Sequence, residues 1–403
     1  MATTRSERAP LAGRRAGSWR QEKRASYSTF GDPPTPSKPP RPHPKSWPAF
    51  ITPLCILLLV AAAHLYIWQT HLRPRWMEES EIREGFLITN PPADFEIAKK
   101  THRFHGQRLL DLPAHLLPGG AGDKDGKRRL VFIGDMHGCA RELKALLKKL
   151  DFDEHTDHLI AVGDVISKGP ANAEVLDELL RLNATSVRGN HEDRILSLAP
   201  SVLAVDGPLD TTGKKDKKLL RQLSPRHLQY LEDMPLMLRI PALPLASKPS
   251  EKRSSPIAEE ILVVHGGLVP AVSLEKQDPY FVMNMRAIHT KTHRPLVEEA
   301  ETKSKSKPWH NIWCWYNERL FKHKSLKDFR VGEEEDPSAL SKKKYPKPQV
   351  VIYGHHSREG LQLQRWTKGL DTGCVRGGKL TALVLNAKGK QEIVQVACKD
   401  NRM

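Results

Sequence analysis

The sequence predicts an α/β fold with one apolar helix ahead of it. Two observations predict the α/β part. Short apolar runs recur from about residue 128, each closing on glycine and a polar residue and each followed by leucines at helical spacing. The runs are continuous rather than alternating, which is the mark of strands buried on both faces, with helices on either side. A third observation sets off the helix: from Pro48 to Trp68 there is no Asp, Glu, Lys or Arg.

The chain has 403 residues and a formal charge of +17. That length suits one large domain with appendages. The charge excludes an acidic tail protein and favours a polyanionic partner. Five cysteines are too few for a disulfide scaffold.

Residues 1–47 are expected to be a disordered basic arm. Pro33, Pro34, Pro36, Pro39, Pro40, Pro42 and Pro44 crowd it, and aliphatic periodicity is lacking. Residues 48–68 are as long as a bilayer-spanning helix requires, with Trp47 and Phe50 at one end and Tyr66 and Trp68 at the other. They read as a signal-anchor, with no clean cleavage site after them. The basic flank is N-terminal, while Arg73, Arg75 and Arg83 are offset by Glu78, Glu79, Glu81 and Glu84. The expectation is a single-pass type II protein, N-terminus cytosolic and catalytic part lumenal. Residues 69–127 are expected to be a stalk.

The folded domain is expected over 128–398. Leu130–Ile133 runs into Gly134-Asp135-Met136-His137-Gly138, and Leu159–Val162 into Gly163-Asp164. Thr185–Val187 meets Arg188-Gly189-Asn190-His191-Glu192, Ile261–Val264 meets His265, and Val350–Tyr353 meets Gly354-His355. Leu380–Leu385 and Gln391–Val396 read as an antiparallel hairpin. Lys-, Ser- and Pro-rich stretches at 206–227, 247–256, 298–308 and about 325–347 read as surface insertions. Cys139, Cys314, Cys374 and Cys398 lie beyond the span, and their spacing demands no bridge. Asn183-Ala184-Thr185 is a glycosylation sequon beside a stretch expected in the core.

Five strand ends thus supply Asp135, His137, Asp164, Asn190, His191, His265 and His355. Oxygen and imidazole donors without thiolate suit divalent transition metals. Two such ions suit hydrolysis of phosphate esters or anhydrides. Each block alone is an ordinary turn or core histidine; it is their order, each behind a buried strand, that carries weight.

Together these blocks resemble those of the PPP-type metallophosphoesterases. Lys168-Gly169-Pro170 after Asp164, and the stretch from Gly369-Leu370-Asp371-Thr372-Gly373-Cys374 to Leu383, narrow the resemblance to the ApaH-like phosphatases, relatives of bacterial dinucleoside tetraphosphate hydrolases. With the anchor, the chain most resembles the zinc-dependent endopolyphosphatases of fungal vacuoles. The resemblance implies a β-sandwich flanked by helices (αββα). It implies two divalent metals, zinc first, with manganese, cobalt or iron as substitutes. Asp135 and His137 would hold one metal, Asp164 would bridge both, and Asn190, His265 and His355 would hold the other. His191 would be the general acid, Arg188 would grip phosphate oxygens, and Lys168 would stand where protein phosphatases have a second arginine.

Departures shape the expected substrate. Ser167 stands where protein phosphatases keep an Asp that orients the catalytic histidine, and Ser357 replaces a histidine common in other metallophosphoesterases. His356 has the wrong spacing to substitute. A phosphate leaving group needs less acid help than a serine alkoxide, so an anhydride is expected. The leading expectation is interior cleavage of inorganic polyphosphate in a vacuolar lumen, by water activated between the metals. A dinucleoside polyphosphate or cap hydrolase and a Ser/Thr protein phosphatase are the enzymatic rivals, and a polyanion-binding membrane protein is the non-enzymatic one. No specific nucleic-acid partner is expected.

Overall fold

The computed structural model describes residues 51–74, 76–77, 104–203, 214–246, 257–297, 305–322 and 347–401. The expected arm, residues 75 and 78–103 of the expected stalk, and the insertions at 247–256 and 325–346 lie outside them. The first helix, α1 (Ile51–Ile67), continues as one wider turn over Trp68–Leu72. Pro53–Leu72 is long and apolar enough to cross a membrane. Its described apolar side chains are exposed, Leu57 at 67% and Leu59 at 70%. Polar atoms within it turn back on the helix, as where Thr70 Oγ1 donates to the Tyr66 carbonyl.

Fourteen strands, seven further α-helices and two short 3-10 turns (Ala114–Leu116 and Leu274–Lys276) build the rest of the described chain. The strands are β1 (Leu109–Asp111), β2 (Arg129–Ile133), β3 (Asp157–Ala161), β4 (Thr185–Ser186), β5 (Met237–Ile240), β6 (Glu260–Val263) and β7 (Ala287–His289). They continue as β8 (Pro295–Leu296), β9 (Ser306–Pro308), β10 (Gln349–Tyr353), β11 (Gln362–Leu363), β12 (Thr367–Gly369), β13 (Lys379–Asn386) and β14 (Gln391–Ala397). The helices are α2 (Ala140–Lys149), α3 (Asn172–Arg181), α4 (Asn190–Leu203), α5 (Lys214–Gln222), α6 (Pro225–Asp233), α7 (Pro279–Asn284) and α8 (Trp309–Lys322).

One sheet runs β14-β13-β2-β3-β4, a second runs β1-β5-β6-β10-β12-β11, and β8-β7-β9 form a small third. Strands β2, β3 and β4 are parallel, as are β6 and β10. Their carboxyl ends carry the motif residues, the usual place for a site in such sheets. Strands β13 and β14 pair antiparallel from Lys379 against Ala397 to Leu385 against Gln391.

Strand periodicity explains the layers. Leu130 and Phe132 point into a core shared with Leu238, Ile261 and Val263 of the second sheet. The alternate residues Val131 and Ile133 meet Leu143, Leu146 and Leu147 of α2 and Val175 and Leu179 of α3. Both faces of β2 are therefore buried, which is why its sequence shows no alternation. Each such leucine contributes roughly 2 kcal/mol by leaving water, and truncating one to alanine costs about 2–5 kcal/mol. Lys148 and Lys149 in the last turn of α2 complement its dipole.

The structure extends the fold beyond the expected boundaries. Residues 104–127, expected to be stalk, contribute β1, paired in parallel with β5, and the buried Leu112. Asp123 anchors this segment by accepting from the backbone N–H groups of Gly119, Lys127 and Arg128. The stretch 206–227, expected to be an insertion, contains α5, which buries Leu219 and Leu220. Its lysines masked an amphipathic period. Ser224 and His227 close a capping box on α6. The expected insertion at 298–308 ends in β9, an edge strand of the small sheet. Cys374 and Cys398, which spacing alone left unassigned, are joined by a disulfide.

Candidate metal centre

Turns at the strand ends aim the motif side chains inward. His137, Asp164, Ser167, Lys168 and His355 all have positive φ. Such a conformation costs a non-glycine residue about 1 kcal/mol or more, and clusters at functional sites. Two glycines make room for the acids. A Cβ on Gly354 would lie 2.2 Å from Asp135 Oδ1, and one on Gly189 would lie 2.4 Å from Asp164 Oδ1.

Backbone carbonyls fix the histidine tautomers. His137 Nδ1 lies 2.9 Å from the Ile166 carbonyl, and His265 Nδ1 lies 2.9 Å from that of Val162. His355 Nε2 lies 3.2 Å from the Asn284 carbonyl. A carbonyl only accepts, so each of these nitrogens carries the proton and the opposite nitrogen keeps a lone pair. That is how metal-binding histidines are oriented elsewhere. The free edges face Asp164: His137 Nε2 is 3.5 Å from Oδ2, and His265 Nε2 is 3.4 Å from Oδ1. Asn190 Oδ1 lies 3.1 Å from His265 Nε2. Asp135 Oδ2 is 4.0 Å from His137 Nε2, and its carboxylate accepts from the His355 backbone N–H.

Two groups of potential ligands share Asp164. One is Asp164 with His137 and His191; the other is Asp164 with His265 and His355. A carboxylate common to two donor sets can serve two ions. Charge points the same way. Burial, with Asp371 nearby, pushes Asp135 well above the usual carboxylate range. Burial also opposes ionisation of Asp164, but the His265, His191 and His137 imidazoles outweigh it and hold Asp164 well below that range. His265 loses basicity to burial, yet Asp164 lifts it to about 10, so without a metal its Nε2 holds a second proton against Asp164, and a cation would take that proton's place. Buried acids and inward lone pairs call for cations. Lys168 already provides one, its Nζ 2.7 Å from His137 Nε2. The donor set fits a pair of divalent ions, with Asp135, His137, Asp164, Asn190, His265 and His355 able to hold them.

Two supporting residues escaped the sequence reading. Glu192 accepts from the backbone N–H groups of Asp164, Ile166 and Gly189, tying three motif turns to one carboxylate. Burial raises it to about 7. Its place in the Arg188–Glu192 block was the available signal. Arg194 Nη2 lies 3.0 Å from His191 Nδ1; one turn of helix separates the two, a spacing that could have been read.

The expected role of Arg188 requires correction. Its Nη1 donates to the His105 carbonyl and its Nη2 to that of Glu232, both beneath Phe104. It is 2% exposed and does not line the cleft. Arg188 lies two residues past the end of β4, and its guanidinium ties the segment at 105 to α6. Lys168, Arg286 and Arg376 line the cleft with Asp135, His137, Asp164, Asn190, His355, His191, Ser357 and Asp371, while His265 lies buried behind it. Arg286 comes from the end of α7, which carries no motif. Ser167 is buried and its Oγ has no hydrogen-bond partner.

Comparison with known proteins agrees with this geometry. Residues 128–358 match the calcineurin-like phosphoesterase family. The symmetrical bis(5'-nucleosyl)-tetraphosphatase of Nitrosospira multiformis is 27% identical over 298 residues, covering 66% of this chain and 94% of the relative. That of Vibrio campbellii is also 27% identical, covering 66% and 97%. A crystal structure assigned as a diadenosine tetraphosphatase aligns with TM-score 0.51 and 26% identity, over 73% of this chain and 99% of the other. The turns that present the donors all fall inside the matched span, and the chain belongs to the calcineurin-like phosphoesterase family.

Proposed function

We propose that this protein is a membrane-anchored hydrolase of phosphoanhydride bonds, acting through two divalent ions held by Asp135, His137, Asp164, Asn190, His265 and His355. Bound there, the ions supply an acidified water and neutralise phosphate charge. The observation that carries the anhydride reading is at His191. Its Nδ1 faces the Arg194 guanidinium, which only donates, so Nδ1 keeps its lone pair and Nε2 carries the proton. Nε2 points inward, 3.8 Å from Asp164 Oδ2. Burial, with Lys168 and Arg194 nearby, holds His191 at about 4. Near neutral pH it is an uncharged hydrogen-bond donor rather than an imidazolium acid. Such a group can steady a leaving phosphate but is poorly suited to protonate an alkoxide. Lys168, Arg286 and Arg376 supply positive charge for the phosphate oxygens.

The named activity of the curated relatives supports a dinucleoside tetraphosphate as substrate. A second reading, inorganic polyphosphate, rests on the cleft itself. Among the described residues lining it there is no Phe, Tyr or Trp to stack on a base, and Val375 is the one apolar side chain. Recognition by charge alone favours a bare phosphate chain.

We further propose a single-pass type II topology through residues 48–68, with the catalytic part in a lumen, the vacuole by resemblance. The Cys374–Cys398 bridge suits an oxidising compartment.

The test sets full-length, zinc-loaded protein in detergent against dinucleoside tetraphosphate, long-chain polyphosphate and a phosphoserine peptide. Turnover of either anhydride well above the peptide supports the reading. Mononucleotide products select the first substrate, and mid-length chains on a gel select the second. Preference for the phosphopeptide overturns the proposal.

A further inference from the structure

Another group of metal-capable side chains lies outside the Asp164 sets. His310, His356 and Glu359 bring one ligand atom each within 4.8 Å of one another. His310 sits in the first turn of α8, and the other two lie in the turn after β10. Distant segments thus converge here.

The hydrogen bonds show which lone pairs face the gap. His356 Nε2 lies 3.2 Å from the Met285 carbonyl, so Nε2 carries the ring proton. The consecutive histidines 355 and 356 are thus held by the consecutive carbonyls of Asn284 and Met285, and each keeps Nδ1 free. Those nitrogens serve different groups. His355 joins Asp164, whereas His356 Nδ1 faces Glu359 Oε2 at 3.8 Å. A lone pair and a carboxylate oxygen repel unless a proton or a metal ion lies between them, and either can occupy this gap. The same oxygen is 2.6 Å from His310 Nε2. His310 Nδ1 meets the Gln364 side-chain amide at 3.2 Å. Gln364 Nε2 also donates to Asn311 Oδ1 at 2.8 Å, so turning both amides over together presents the Gln364 oxygen to Nδ1–H, keeps the Asn311–Gln364 bond and frees the His310 Nε2 lone pair for a metal.

Burial and access also suit an ion. His310 and His356 are buried, while the Glu359 side chain is 32% exposed, leaving one open side. Bond lengths of about 2.0–2.2 Å place tetrahedral ligands roughly 3.3–3.6 Å apart. The observed 2.6 and 3.8 Å bracket that spacing. Two imidazoles and one carboxylate suit zinc or cobalt, with water as a fourth ligand.

We propose that His310, His356 and Glu359 form a third divalent-cation site, separate from the pair at Asp164, which ties the first turn of α8 to the turn carrying His355. The ion replaces a direct His310–Glu359 hydrogen bond and screens the His356 lone pair from the carboxylate. It joins segments far apart in sequence, beside the catalytic cleft but not in it.

The test is a metal count on full-length protein in detergent, saturated with zinc, dialysed, and measured by mass spectrometry. Wild type is expected to hold three equivalents, Glu359→Gln two, and Asp164→Asn one. The double variant is expected to hold none. His310→Gln is the second single variant should Glu359→Gln fail to fold, with circular dichroism as the check. Cobalt-loaded Asp164→Asn is expected to show tetrahedral absorption bands that the double variant lacks. Two equivalents in wild type with none in Asp164→Asn would overturn the third site and leave a plain histidine–carboxylate contact, with the catalytic pair intact. Equal counts in wild type and both single variants at this cluster would overturn it too. Loss of all binding in Asp164→Asn alongside three in wild type would likewise sink its independence.

Discussion

Arg194 places its guanidinium 3.0 Å from Nδ1 of His191, where a charge-relay histidine would have a carboxylate. Burial, with the charges of Lys168 and Arg194 nearby, leaves His191 an uncharged donor near neutral pH. His191→Gln, which keeps an N–H donor, should therefore lower kcat on a phosphoanhydride by roughly tenfold, below the 10²–10⁴ of full acid catalysis. Steady-state kinetics on dinucleoside tetraphosphate and polyphosphate would check this. A loss near 10⁴ would show that the proton itself must move.

Asp164 accepts from the His191 backbone N–H and faces three imidazoles. Asp164→Asn should abolish hydrolysis and the loading of both catalytic ions. Chelation should silence the wild type, and zinc, manganese or cobalt should restore it, which a rescue titration would measure. Activity that survives exhaustive chelation contradicts the metal centre.

The arginines should separate by role. Arg286→Ala and Arg376→Ala should raise KM or lower kcat/KM about 10-fold or more, with unfolding midpoints unchanged. Arg188→Leu should instead destabilise the fold by about 2–4 kcal/mol, since two buried carbonyls lose their donor. Denaturant melts run beside kinetics would distinguish the two classes.

Acid should weaken the fold through buried histidines. Burial holds His158, hydrogen-bonded to Thr185 Oγ1, at about 4 against an ordinary 6.5. The unfolded chain therefore binds the extra proton first. The stability His158 contributes is complete above about pH 6.5 and falls as pH drops towards 4, by at most roughly 1.4 kcal/mol per pH unit. His158→Gln should flatten that slope in urea melts at stepped pH. An unchanged slope would remove His158 as the cause.

The disulfide closes a loop that contains Arg376, and Asn183 is exposed after α3. Cys398→Ser should cost about 2–4 kcal/mol and lower kcat/KM through a looser Arg376. Under the proposed topology, Asn183 should carry a glycan that Asn183→Gln removes, read as a gel shift. Cytosolic labelling of the catalytic part would reverse the orientation.

The strands and the metal-capable residues were legible because a strand buried on both faces must be apolar throughout, and a turn at its end must be glycine-flanked. Local pattern records both constraints. Residues 104–127 were not legible as fold because β1 is three residues long and is held by pairing with β5, a partner far along the chain. The direction of Arg188 was equally hidden, since a motif fixes where a side chain starts and not which carbonyl it meets. Arg286 entered the cleft from a segment with no motif, and the Cys374–Cys398 bridge depended on where β14 lies. Sequence by itself determined the chemistry on offer: acids, imidazoles and cations at strand ends. Tertiary structure decided which of them share one cleft, because contacts between distant segments depend on packing rather than on neighbouring residues.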